Sequence, residues 1–241
     1  FIAARTEGYD EMPSVLAAYT PELVEEISGV SADALREAAR VFGRAERGAI
    51  LYSMGITQHS HGTEHVIAIS NLALLTGNLG RPGTGVNPLR GQNNVQGSCD
   101  MGSFPHELPG YRHLSDASTR QLFEREWNVE LDPEPGMRIP NMFDSAIDGD
   151  FRGLYCQGED VAQSDPNTQH IQAALSALDC LVVQDIFLNE TAKYAHVFLP
   201  GSSFLEKNGT FTNAERRISP VRKVMPAMGG KEDWEVTQDL A

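Results

Sequence analysis

Four groups of residues could carry chemistry by their type and spacing. The first is His59-x-His61-x3-His65. A His-x-His pair at a strand end can ligate zinc, but no further carboxylate or histidine follows at ligand spacing. These three therefore read as polar loop and helix-start histidines, and no metal ligand is assigned in the chain. The second group is Cys99 with His106, a nucleophile and base by type. No Gly-x-Ser-x-Gly or other oxyanion-hole motif accompanies it, which argues against acyl transfer.

The third is Arg90, the only positive charge between Pro82 and Gly110. Its loop is rich in glycine and amides and reads as enclosed. A guanidinium there needs an anion, because an unpaired buried charge is costly. Its planar fork matches a small carboxylate in bidentate fashion, with a salt bridge to a distant acid as the alternative. The fourth group comprises three polar loops: Gln157-Gly158-Glu159-Asp160 with Ser164 and Asp165, Gln184-Asp185 with Asn189, and Gly201-Ser202-Ser203. Their carboxylates suit ribose hydroxyls or the N–H edge of guanine, and their glycines admit close approach of phosphate. The usual nucleotide fingerprints are missing. Gly83-Thr84-Gly85 lacks the later glycine of GxGxxG, and no GxxxxGK[ST] occurs.

The elements that must position these groups follow from local patterns. Thr20-Pro21 predicts an N-cap and a helix through Ile27, stopped at Gly29. Ser31 caps a second helix that ends near Gly48. Ala49–Met54 reads as a buried strand. A helix from Gly62 to Gly77 is apolar on most of its circumference, which predicts burial. Residues 77–110 show no period and read as one long functional loop. Acidic helices follow near 116–128 and 141–148. Then come a strand at Leu154–Cys156, a helix over 166–178, a strand at Leu181–Val183, a short helix over 189–194 and a strand at His196–Leu199. That β-α-β-α-β order predicts an α/β fold with a parallel, Rossmann-like sheet flanked by helices. In such a sheet ligands bind beyond the carboxyl ends of the strands, which is where the three polar loops fall. Lys207-Asn208-Gly209 predicts a turn between paired strands. A last helix begins around Lys231.

Composition narrows the function. The chain has 241 residues, 41% hydrophobic and 22% charged, so it can form a core and is neither disordered nor fibrous. Nineteen basic against 33 acidic residues give a net charge of −14, which excludes nucleic acid as a partner. No apolar run approaches the ~18 residues of a membrane span. The charge is uneven: residues 51–110 hold three acids and two bases but ten of the 22 glycines. Three scattered cysteines argue against a disulfide framework and for a reducing, cytoplasmic setting. They also cannot hold an iron–sulfur cluster within the chain.

At Arg90 the residues carry a resemblance. Leu89–Gly102, Leu-Arg-Gly-Gln-Asn-Asn-Val-Gln-Gly-Ser-Cys-Asp-Met-Gly, is similar to the substrate loop of molybdenum- or tungsten-dependent formate dehydrogenases, in the molybdopterin oxidoreductase (DMSO reductase) superfamily. Met54–Gln58, Leu75–Gly80, Gly158–Asp160, Val183–Asp185 and Gly209–Arg216 agree with it, so the likeness covers essentially the whole chain. It is most similar to catalytic subunits of the NAD-linked type.

The resemblance implies two bound molybdopterin guanine dinucleotides around molybdenum or tungsten, formate and carbon dioxide as substrates, and electron-transfer subunits as partners. It implies that Arg90 orients formate with Gln92 beside it, and that Met54 and Gln58 line one pterin. Asp160, Ser164 and Gln184 match positions at a guanosine end, within the loops that also hold Asp185. Gly201 and Asp233 match other cofactor-contacting positions; Gly201 stands where some relatives carry serine, so only its backbone could serve. It implies domains over 1–92 (the end of one α/β pterin-binding domain, closing in the substrate loop), 93–203 (a second α/β cofactor domain) and 204–241 (a linking hairpin and a truncated helix). The family's cysteine-rich 4Fe-4S motif and its metal-ligating Cys or Sec followed by His are not in this sequence. The chain therefore reads as the middle of a larger subunit, incomplete at both ends and inactive alone. Two rival readings are another molybdopterin oxidoreductase such as a nitrate reductase, and a non-catalytic electron-complex subunit like the large subunit of respiratory NADH dehydrogenases.

Overall fold

The computed structural model describes residues 1–241, which form two compact units, Phe1–Gln92 and Asn93–Ala241. No helix is long and apolar enough to cross a membrane.

The first unit opens with two short helices, α1 (Ile2–Arg5) and α2 (Met12–Leu16). α3 (Pro21–Ser28) begins where the Thr20 hydroxyl accepts from the Leu23 amide at 3.2 Å, and it ends at left-handed Gly29. α4 (Ala32–Arg44) is capped by Ser31 through the Ala34 amide, and it stops four residues short of Gly48. β1 (Ala49–Tyr52) leads into α5 (Met54–Thr57) and α6 (Gly62–Leu75), and β2 (Gly85–Pro88) pairs with β1 in parallel. β2 corrects the reading of 77–110 as structureless. α6 also departs from expectation: only Gly62 and Ala73 are buried, while Ile67 and Leu72 are exposed. A two-stranded sheet offers one apolar surface and cannot cover a helix that is apolar all round. Where α6 ends, Asn78 is buried and bridges back, accepting from the Gly48 amide at 2.8 Å and donating to Thr76 Oγ1 at 2.9 Å.

The second unit starts with α7 (Val95–Asp100), which also lies inside the stretch read as loop. The hairpin of β3 (Glu107–Leu108) and β4 (Arg112–His113) follows, then α8 (Ala117–Trp127) and α9 (Ile139–Asp148). The centre is a parallel sheet ordered β5 (Gly153–Gln157), β6 (Cys180–Asp185), β7 (Val197–Pro200). α10 (Val161–Ser164), α11 (Thr168–Ala177) and a 3-10 turn at Thr191–Tyr194 connect these strands. Central β6 buries Leu181 and Val183 on one face, in a cluster with Ile171, Ala174 and Leu175 of α11 and Phe143 and Ala146 of α9, and on its other face Val182 is half-buried and Gln184 buried. This is why β6 reads as a continuous apolar run.

β8 (Gly209–Thr212) and β9 (Ile218–Val221) form an antiparallel hairpin. Its turn is Asn213–Arg217, not Lys207-Asn208-Gly209. The Asn213 side chain accepts from the Glu215 and Arg217 amides, and Arg216 takes a φ of 60°. Asn208 instead accepts from the Lys223 amide. α12 (Asp233–Leu240) closes the chain behind a capping box of Glu232 and Glu235.

Candidate cofactor site

In the first unit, the parallel pairing of β1 and β2 delivers two connections to the same end of the sheet. The Leu89 amide donates to Tyr52 O at 2.7 Å, and Ser53 Oγ donates to Leu89 O at 2.9 Å. This lays the start of α5 against the loop holding Arg90. The Met54 methyl group rests on Gly91: a Cβ added there would stand 2.8 Å from Met54 Cε. Met54, Arg90 and Gln92 are thus neighbours, with Gln58 one helical turn beyond Met54, its amide bonded to Met54 O at 2.9 Å. All four side chains are exposed, so the sequence reading of an enclosed Arg90 is corrected. Exposed, the guanidinium is solvated and carries no burial cost of its own.

The histidines of this unit are engaged locally. His59 Nε2 meets Gly55 O at 2.8 Å and His65 Nδ1 meets Ile56 O at 3.0 Å, their rings edge to face at 5.5 Å. His61 precedes α6 as its N-cap residue.

In the second unit, the ends of β5, β6 and β7 open onto a cavity of ≈ 340 Å³. It is lined by Gln157, Gly158, Gln184, Asp185, Gly201, Ser202, Lys207 and Asp233, among others. Four of the sequence-derived residues, Gln184, Asp185, Gly201 and Asp233, are therefore brought together. The pivot is Asp233. Its Oδ1 accepts from Gln184 Nε2 at 3.1 Å and from the Ser202 amide at 2.7 Å. Its own amide donates to Ser202 Oγ at 3.0 Å, and its Oδ2 pairs with Lys207, whose ammonium also reaches Ser202 O at 3.0 Å. Gln184 is 1% exposed. Its Oε1 accepts from Tyr155 Oη and from Gln157 Nε2, so two side chains of β5 set its orientation.

The chain bends at Gly158 and runs close to the neighbouring backbone at Gly201. Gly158 has φ +65° and donates to Gln184 O at 2.8 Å. The Gly201 amide donates to Asp185 O at 2.8 Å, and a Cβ on Gly201 would stand 2.9 Å from the Asp185 carbonyl carbon. A side chain there requires the loop after β6 to shift.

Asp160 and Ser164 fall outside the cavity lining. Burial pushes the Asp160 carboxyl up, but donors outweigh it and hold it below its ordinary range. These are the Thr191 hydroxyl at 2.7 Å and amide at 2.9 Å, the Glu190 amide, and Gln163. Asp160 thus clamps the 3-10 turn onto the start of α10. Ser164 Oγ donates to the Glu159 and Asp165 carboxylates. Asp185 accepts from the Ile186 amide and from Asn189, shaping the loop after β6.

Two residues escape a reading by sequence. Glu206 is buried and accepts from the Met228 amide at 2.7 Å and from the Ser203 amide and hydroxyl, which hold its carboxyl at about 2. It braces the cavity wall, and its signal was the Ser203-x-x-Glu206 spacing of a capping motif. Lys207 places the lining's cation opposite Asp233; nothing local marks it, because its partner lies 26 residues away.

The donors and acceptors fit the polar end of a pterin dinucleotide. Amides and carboxylates can meet a purine edge or ribose hydroxyls, a lysine can meet phosphate, and Gly158 and Gly201 let the backbone come close to the space.

Fold and cavity together define an α/β protein with a ligand-sized opening at the carboxyl edge of a parallel sheet. Residues 23–241 match the molybdopterin oxidoreductase family model, and the chain belongs to that family. It is 49% identical over its whole length to the F420-dependent formate dehydrogenase subunit alpha of Methanocaldococcus jannaschii, covering 36% of that protein. It is 44% identical to formate dehydrogenase H of Escherichia coli, covering 34% of it. The chain thus spans about a third of these curated relatives. Among solved structures, acetylene hydratase from Pelobacter acetylenicus superposes with a TM-score of 0.69 over 97% of this chain and 35% of that one, at 17% identity, and shares the fold.

Proposed function

We propose that this chain is part of a formate dehydrogenase catalytic subunit that converts formate reversibly to carbon dioxide, a proton and two electrons. The observation that carries the reading is the 49% identity, along the entire chain, to a protein named as such a subunit. In this proposal two molybdopterin guanine dinucleotides and molybdenum or tungsten supply the redox chemistry when bound. The residues of this chain bind and orient. Arg90 holds the formate carboxylate through charge-assisted hydrogen bonds, and Gln92 donates beside it. Met54 and Gln58 face one pterin. Gln184, Asp185, Gly201 and Asp233 hold the second cofactor's polar end, with Asp160 and Ser164 near its guanosine.

The segments 1–92, 93–203 and 204–241 are proposed as the end of one cofactor domain, a second cofactor domain, and a linking hairpin with the start of a helix. The partners are the rest of the catalytic subunit, including a 4Fe-4S cluster this chain does not bind, and iron–sulfur or flavin subunits that pass the electrons on. The free cysteines fit a cytoplasmic setting. The test is an assay of the complete, metal-loaded subunit with a viologen acceptor. Formate-dependent reduction supports the proposal; nitrate reduction without formate turnover overturns it.

A further inference from the structure

We propose that His106, Glu107 and His113 form a binding site for a divalent cation of the zinc class on the second unit, separate from the cofactor cavity. The hairpin register places Glu107 directly opposite His113, so the two side chains stand on one face of the β3–β4 ladder. His106 joins them from the residue before β3. One ligand atom from each of the three lies within 4.8 Å of the other two. His106 Nε2 is 3.7 Å from Glu107 Oε1, close to the ~3.3 Å that separates two ligands on a tetrahedral zinc with bonds of about 2.0 Å. The two imidazoles lie nearly parallel, with centroids 6.1 Å apart and planes inclined by 16°. A rotation of the exposed His113 side chain closes the remaining gap.

The independent observation is Glu107 itself. Its Oε2 is buried and has no hydrogen-bond partner, the only side-chain atom of the protein in that condition. A buried carboxylate oxygen without a donor is costly. A cation held by both histidines and by both oxygens of the carboxylate supplies the missing partner of Oε2. The backbone around the site is already fixed: the Leu114 amide donates to His106 O at 3.0 Å, and the Gly110 amide to Asp100 O at 2.8 Å. Two neutral imidazoles and one carboxylate suit zinc better than calcium or magnesium, which prefer sets made wholly of oxygen. Three protein ligands leave a fourth position for water. Because His113 and His106 reach the surface, the ion can enter and exchange.

The experiment uses the complete natural protein, freed of loose metal on a chelating resin and titrated with zinc sulfate. Bound zinc is measured by mass spectrometry after gel filtration. One zinc per subunit is expected above the His113→Ala variant, whose exposed position leaves folding intact. Affinity should fall by at least about tenfold in both His113→Ala and Glu107→Gln, with molybdenum or tungsten content unchanged. X-ray absorption at the zinc edge should show nitrogen and oxygen ligands with imidazole scattering and no sulfur. Equal zinc binding in wild type and His113→Ala, or sulfur in the shell, overturns the proposal.

Discussion

Replacing Asp233 by alanine should loosen the wall of the cavity at the ends of β5, β6 and β7 by a predictable amount. Asp233 Oδ1 is the acceptor for Gln184 Nε2 and for the Ser202 amide, and both residues are buried. Alanine leaves two buried donors without partners, each costing about 1–3 kcal/mol, and it strips Lys207 of its carboxylate. The Ser202 donor alone, at about 2 kcal/mol, corresponds to ~30-fold faster exchange of that amide, and coupling through Gln184 raises this toward ~1000-fold. Hydrogen exchange on the complete subunit, followed in peptides covering Ser202 and Gln184, reads this directly. Asp233→Asn keeps an acceptor oxygen and should sit between wild type and alanine. If protection of the Ser202 amide is unchanged in Asp233→Ala, the network does not hold the cavity and the reasoning fails.

Two further outcomes follow from the titratable groups. Because the Glu206 carboxyl is held at about 2 against an ordinary 4.5, its contribution to stability is complete above about pH 4.5 and is lost as pH falls toward 2. Thermal unfolding should therefore weaken over that interval in wild type and be flatter in Glu206→Gln; parallel profiles would count against the brace. Asp165, which burial pushes up, works in the opposite direction. Burial first, and then the nearby Glu159 carboxylate, push the Cys156 thiol up to about 11, while Cys180 is exposed. At pH 8 iodoacetamide should label Cys180 and leave Cys156 intact, the thiolate fraction of Cys156 being ~100-fold below that of an ordinary thiol. Peptide mass spectrometry checks this, and equal labelling would contradict it.

What was legible in the sequence was local. Thr20-Pro21 and Ser31 announce helix starts because a cap is made within three residues, and the structure forms both caps. β5, β6 and β7 are legible because each is a short apolar run that adds to one core, Leu154 and Cys156 of β5, Leu181 and Val183 of β6 and Phe198 of β7. β2 was not legible: Gly85-Val86-Asn87-Pro88 has poor strand propensity and is extended because β1 pairs with it. The hairpin turn was displaced because Asn208-Gly209 carries the stronger local signal, while the Asn213 side chain makes the actual turn bonds. The exposure of α6 depends on how much surface surrounds it, which no periodicity records. In the site, the carboxyl-end rule led to Gln184 and Gly201. The Asp233–Lys207 pair and the Glu206 brace join residues far apart or on connecting loops, and only tertiary structure assembles them.

The central claim is that the Arg90 loop receives formate. It is tested most directly by kcat/KM for formate in the complete subunit carrying Arg90→Ala, with metal and pterin content measured in the same samples. Loss of a charge-assisted, bidentate grip costs about 3 kcal/mol or more, so kcat/KM should fall at least ~100-fold while cofactor content stays at the wild-type level. An unchanged kcat/KM for formate in a fully loaded Arg90→Ala enzyme would contradict the account.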